Sequence, residues 1–282
     1  VQSEEFFDHA LGTSAGSLSP RTNWRELAKF EFDLPPLDEQ NRIADLLWAI
    51  ERHRVALVRG KAALSDVLGK LSATLLSALP SRTVLSDHVT TRSGPSFAAS
   101  DVSSAPVDGA VPVIGIPNTK PDGSMDLANV GYVSGLPASV GTIDDSSLVL
   151  IRTNGNRQRI GNVYMPPREA HGHAVSAFQF LMRVAESANR EFIYWVLRDP
   201  AMQARMSDAA SGTTGLGNLA VKWLNALEVP WSDEPGVRAA VVERLKGVDE
   251  AAQQVAAEAT SLETLRASLL EAIFGGLDVA VS

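Results

Sequence analysis

The chain contains no cysteine, which excludes disulfides, thiolate zinc sites and cysteine nucleophiles. It has no apolar run of the ~18 to 20 residues that a membrane span needs. Its opening residues, VQSEEFFDHA, carry neither a basic n-region nor the apolar core of a secretory signal. Together these absences make the cytoplasm the expected compartment and a membrane an unexpected partner. Positive charge is also short: 25 basic residues face 33 acidic ones, for a net charge of −8. That argues against non-specific coating of nucleic acid. The deficit is uneven, however. Residues 81–232 hold 12 basic and 13 acidic residues, whereas residues 233–282 hold 4 and 9. The acid therefore sits mainly on a final segment that need not approach an anion.

Catalytic constellations are missing as well. There is no Walker loop, no GxGxxG following a strand and no HExxH. The Asn/Asp-Pro-Pro-aromatic motif of amino-methyltransferases is absent, and so is a clustered Asp/Glu…Glu-x-Lys nuclease site. His171 and His173 flank a glycine, but without a cysteine or a placed carboxylate they read as a loop rather than a metal site. The expectation is a non-enzyme with no catalytic, cofactor-binding or metal-binding residues of its own.

What the sequence does contain is a repeat, the first thing to look for in organisation. DHALGT (Asp8 to Thr13) recurs as DAASGT (Asp208 to Thr213), and Trp24 recurs as Trp223. Leu27, Phe30 and Phe32 share their spacing with Leu224, Leu227 and Val229. A long helical pattern follows each copy. In the first, over about residues 37–79, a 4,3,4,3 spacing runs through Ile43, Leu47, Ile50, Arg54, Leu57, Lys61, Leu64, Leu68, Leu71, Leu75 and Ala78. In the second, over about 234–274, it runs through Val241, Leu245, Val248, Ala252, Val255, Ala259, Leu262, Arg266, Leu269 and Ile273. A seam sustained this long is a coiled-coil signal. At ~1.5 Å per residue each helix spans about 60 Å, and near-equal lengths predict an antiparallel pair. Pro35 and Pro36 precede the first helix and Pro80 stops it. Ser232 is a candidate N-cap for the second, and Gly275 and Gly276 end it.

Between the helices the pattern is mixed. VPVIGI (111–116), SSLVLIR (146–152), RIGNVY (159–164) and AVSAFQFLMRV (174–184) read as strands. Thr153-Asn154-Gly155-Asn156 reads as a hairpin turn. Residues 189–210 read as helix with a break at Asp199-Pro200, and 93–110 as a long loop. The fold class expected is α+β: one globular mixed domain plus two long helices forming an antiparallel coiled coil.

Three segments carry residues suited to DNA. Arg152, Asn154, Asn156, Arg157, Gln158 and Arg159 place three guanidiniums and three amides at one turn. Arginine grips guanine edges or phosphates bidentately, and asparagine and glutamine grip adenine. The alternative is a solvated turn. The second segment, SGTTGLGN (211–218) with Lys222, offers Thr213, Thr214, Asn218 and a close backbone approach to phosphate, or else a linker. Asn118 and Lys120, in IPNTKPDG, form the third.

Leu34-Pro-Pro-Leu-Asp-Glu-Gln40, followed by Arg42-Ile43 and a long helix, resembles the conserved-region motif of type I restriction-modification specificity subunits. VLSDHVTTRSG (84–94) is similar to the start of a target-recognition domain in that family, SSLVLIRTNGNRQRIGNVY to its central strand-turn-strand, and FIYWVLRDP with SGTT…Trp223 to its closing helix and exit. The resemblance covers nearly the whole chain. It implies a C-terminal remnant of a first target-recognition domain at 1–32, a spacer helix at 33–80, a recognition domain at 81–231 and a second spacer helix at 232–282. Relatives usually carry two recognition domains. This chain has one complete, its first residue is Val, and VPWSDEPG replaces PPLxEQ in the second repeat, so a truncated subunit or partial cassette is expected. The resemblance further implies double-stranded DNA as partner, methyltransferase subunits that carry S-adenosylmethionine, restriction subunits joining through that complex, possible self-association and a role in antiphage defence. The alternative is a truncated specificity-like coiled-coil scaffold that binds partners without reading DNA.

Overall fold

The structure, a computed structural model, describes residues 4–14, 21–31, 35–212 and 215–274. In chain order the helices and strands are α1 (Glu4–Gly12), α2 (Trp24–Leu27), α3 (Leu37–Ser77), β1 (Ser81–Val84), β2 (Val89–Ser93), β3 (Val102–Ser103), β4 (Val111–Ile114), β5 (Gly131–Val133), β6 (Ser147–Ile151), β7 (Thr153–Asn154), β8 (Val163–Tyr164), β9 (Ala174–Val175), β10 (Gln179–Val184), α4 (Arg190–Arg198), α5 (Pro200–Ala209), β11 (Gly217–Asn218), α6 (Val221–Asn225), β12 (Glu228–Trp231) and α7 (Pro235–Phe274). The chain divides into two compact units, residues 1–65 with 249–282, and residues 66–248. No helix among the described residues is long and apolar enough to cross a membrane.

In the first unit α3 and α7 run antiparallel. Arg54 bonds Glu263 at 3.2 Å, His53 meets Glu258 at 3.4 Å, and a Cβ on Gly60 would touch Val255 at 3.8 Å. Rising numbers on one helix thus meet falling numbers on the other. The heptad seam is what is covered: Ile43, Leu47, Ile50, Arg54, Leu57 and Leu64 are buried or half-buried on α3, and Ala252, Val255, Ala259, Leu262, Leu269 and Ile273 on α7. Lys61, Arg266 and, just past the end of α3, Ala78 depart from the expected seam and are exposed; Gly60 takes the place of Lys61. Glycine and alanine here let the backbones approach, and the Arg54 head emerges into a pair with Glu51 and Glu263. The α3 start is tied down within PPLDEQ itself. The Gln40 side chain donates to the Pro35 carbonyl at 2.7 Å. Leu34 and Phe32, like Gly275 and Gly276, lie outside the described residues.

The second unit is the mixed domain. A four-stranded antiparallel sheet, ordered β2-β10-β6-β8, carries a core on each face. Leu148, Leu150, Phe180 and Met182 pack with α4, through Phe192 and Val196, while Val149, Ile151, Leu181 and Tyr164 pack with Ile114 and Val175. Burial on both faces explains why SSLVLIR is a continuous apolar run instead of an alternating one. A second four-stranded sheet, β3-β5-β4-β9, is antiparallel except for β4 with β9. AVSAFQFLMRV is thus two strands, β9 and β10, one in each sheet. The segment 93–110, expected as loop, holds a 3-10 turn and the two-residue β3. The break at Asp199-Pro200 is real: Asp199 caps α5, accepting from Ala201 and Met202 N–H, and also takes a 2.7 Å bond from Ser72 on α3.

A two-stranded ribbon pairs Ser81 with Trp231 through Val84 with Glu228. It brings the end of α3 and the start of α7 side by side, where Leu71, Leu75 and Leu76 join Val241, Val242 and Leu245 in the core. Ser232 accepts from the Glu234 N–H at 3.3 Å in a turn just ahead of α7, but the first helical acceptor is the Glu234 carbonyl, so Ser232 precedes the cap position expected of it. The Trp231 ring lies between His88, stacked at 3.8 Å, and the buried Arg238 guanidinium at 4.6 Å.

Candidate nucleic-acid interface

The turn-rich segment after β6 does not close as the tight hairpin its Asn-Gly dipeptide predicts. After Ile151 the chain leaves the sheet. β7 pairs with β11, a 3-10 turn follows over Arg157–Arg159, and only then does β8 return beside β6, Val149 opposite Tyr164. The physical reason is local. Asn154 Oδ1 accepts the Asn156 N–H at 2.8 Å, and Asn156 Oδ1 accepts the Gln158 N–H at 3.0 Å. Two successive Asx turns compete with a hairpin ladder for the same backbone donors. Two glycines fix the result. Gly161 has φ +90°, and a Cβ there would lie 2.7 Å from Met206 Cβ. A Cβ on Gly217 would lie 2.5 Å from Ile160 Cδ1, so no larger residue lets β11 settle against β7 without displacement.

The three guanidiniums diverge. Arg152 donates to Ser93 Oγ at 3.0 Å and lies 5.4 Å from the Phe180 ring centroid. Arg157 donates to the Ala210 carbonyl. Arg159 donates to the Thr119 carbonyl and, at 2.9 Å, to the Tyr164 hydroxyl, which in turn donates to the Lys120 carbonyl. Arg157 and Arg159 therefore brace the segment against its neighbours, and the three do not form one positive cluster. Gln158, Arg157, Asn156 and Gly155 are exposed, and Arg152, Asn154 and Arg159 are half-buried.

Asn118 is buried and fully engaged, accepting from Gly115 N–H and donating to the Asp126 and Asn129 carbonyls. It organises a loop and presents nothing outward. Lys120 pairs with Asp126 at 3.2 Å. The Asp126 carboxyl is held below its ordinary value by the Ala128 N–H and by Lys120. Asn218 accepts from Thr153 Oγ1 at 2.8 Å, tying β11 to β7. Lys222 is exposed. Thr213 and Thr214 lie outside the described residues.

Sequence reasoning missed what stands beside this segment. An open groove of about 360 Å³, lined by Gly115, Ile116, Pro117, Gly155, Phe178 and Leu216 among others, runs along Thr153 and Asn154. Its walls are almost wholly apolar, and Phe178 and Leu216 are 48% and 53% exposed. The signal that was available is an aromatic inside AVSAFQF that breaks the strand pattern and a lone leucine in a Gly/Thr loop.

No family model matches the chain, and neither does any curated protein. Solved structures do. The type I restriction-modification S subunit from M. genitalium aligns over 97% of this chain and 73% of its own, at TM-score 0.57 and 15% identity. The HsdS subunit from Thermoanaerobacter tengcongensis aligns over 97% and 68%, at TM-score 0.53 and 14% identity. A structure described as bearing on complex assembly and conformational transition of the type I R-M system aligns over 98% and 69%, at TM-score 0.57 and 17% identity. The chain has the fold of type I specificity subunits, with a mixed domain and two long antiparallel helices.

Proposed function

We propose that the chain is a DNA-sequence-recognition subunit of a type I restriction-modification complex, itself non-catalytic. The observation that carries this reading is the match of almost the whole chain, mixed domain and both long helices, to S-subunit structures. In this reading residues 81–231 read double-stranded DNA, and residues 33–80 and 232–282 are the spacer helices on which methyltransferase subunits dock. Residues 1–32 belong with a further recognition domain, and restriction subunits join through the complex. S-adenosylmethionine belongs to the methyltransferase partner, and the setting is the cytoplasm. On the domain, the exposed amides of Asn156 and Gln158, the half-buried amide of Asn154 and the Arg152 head are the groups offered to DNA, with Lys222, Asn218, Thr213 and Thr214 beside a phosphate. Arg157 and Arg159 hold that surface in place.

The test is selection. The chain, assembled with its methyltransferase partner, is offered a pool of random-sequence duplexes, and the bound fraction is sequenced. The expected result is enrichment of one defined sequence. Partner binding without enrichment would identify a scaffold that reads no DNA.

A further inference from the structure

The groove between Phe178 and Leu216 is open and largely apolar. Its walls are almost free of polar atoms, although Asn154 and Thr153 stand on its rim. The Phe178 carbonyl accepts from both the Arg152 and the Thr153 N–H, at 2.9 and 3.1 Å, so the Phe178 backbone is fixed at the β6–β7 edge. The same edge carries the Arg152 guanidinium, braced by Ser93. Among the described residues no carboxylate lines the groove. An apolar recess with an amide on its rim and no acidic wall among the described residues suits a polyanion that presents a small apolar group. In the major groove of DNA that group is the 5-methyl of thymine, which lies beside the adenine edge that an asparagine reads. The recess is concave, which suits a methyl entering it. A side chain wedging between base steps would have to be convex. Asn154 Oδ1 already holds the Asn156 N–H, and its Nδ2 has no hydrogen-bond partner among the described residues. The amide donor is thus available on the groove's rim.

We propose that this groove seats the 5-methyl group of a thymine, so that Phe178 and Leu216 determine an A·T preference at one position of the target. The inference rests on the specificity-subunit reading above. Its test starts from the duplex enriched by the chain with its methyltransferase partner. Each thymine is replaced in turn by deoxyuridine, which removes only the methyl. Binding is measured for the unaltered chain and for the Phe178→Ala and Leu216→Ala variants, each first confirmed as folded by its thermal unfolding. The expected result is one thymine whose replacement weakens binding about fourfold, the ratio that corresponds to roughly 0.8 kcal/mol for one buried methyl. Either variant should bind the unaltered duplex more weakly and lose that discrimination. A duplex in which no thymine is sensitive, an enriched sequence without thymine, or variants that keep the penalty would each overturn the groove's role while leaving sequence recognition intact. Absence of any enriched duplex would instead overturn the specificity reading, and the groove's role with it.

Discussion

Asp144 shows how a single side chain ties the loop before β6 to the central sheet. Burial alone would raise its carboxyl, but hydrogen bonds from Ser146 and Ser147 and the charge of Arg183 outweigh that and hold it below the ordinary 3.8. A carboxylate lowered on folding contributes stability that is present above its unfolded value and lost as pH falls through the folded one. Asp144→Asn is therefore expected to lower the unfolding temperature at neutral pH and to flatten the decline below about pH 4, as read from thermal unfolding across a pH series. A second residue-scale prediction concerns the Asx turns. Asn156→Asp keeps the oxygen that accepts the Gln158 N–H but replaces the amide donor by a charge that repels phosphate. Stability should hold within about 0.5 kcal/mol, while DNA affinity falls and the slope of affinity against salt changes. Unchanged binding would return this turn to a solvated loop. The sequence made these amides and arginines visible as a cluster, but composition says nothing about direction. Arg159 and Asn118 look like DNA ligands in a one-letter string and prove to be braces because carbonyls from Thr119, Asp126 and Asn129 converge on them.

At the level of elements, the long helices were legible because a seam is periodic and its burial follows directly from the period. The seam fails at Lys61, beside Gly60, at Arg266, and at Ala78 just past the end of α3, all of which are exposed. The repeat was legible for the same reason. Each copy, Asp8 to Thr13 and Asp208 to Thr213 as far as it is described, sits at or just past a helix end (α1, α5). A short helix (α2, α6) and a long one (α3, α7) follow. The excursion through β7 and β11 was not legible, because it depends on pairing Thr153 with Asn218, 65 residues away. The two copies also differ in environment in a way no pattern shows. Trp24 is 76% exposed, whereas Trp223 packs against the domain core. Trp223→Ala should accordingly cost about 2 kcal/mol or more in a denaturant titration, and Trp24→Ala less than about 0.5 kcal/mol. Equal losses would mean that the first copy has a packed environment of its own.

For the whole molecule, the balance of charge bears on how it meets DNA. With a net charge of −8 and a near-neutral mixed domain, long-range attraction to DNA is weak, so the proposed recognition requires short-range contacts, made with the proposed methyltransferase partner docked. That expectation distinguishes a sequence reader from a scaffold more sharply than affinity alone. The most direct measurement is therefore a ratio: the dissociation constant of the chain–methyltransferase complex on its enriched duplex against a scrambled duplex of equal length, at one fixed salt concentration. Recognition by this chain predicts a preference of about 10³ or more, reduced in the complex carrying Asn156→Asp. A ratio near one, with the complex intact, would contradict it.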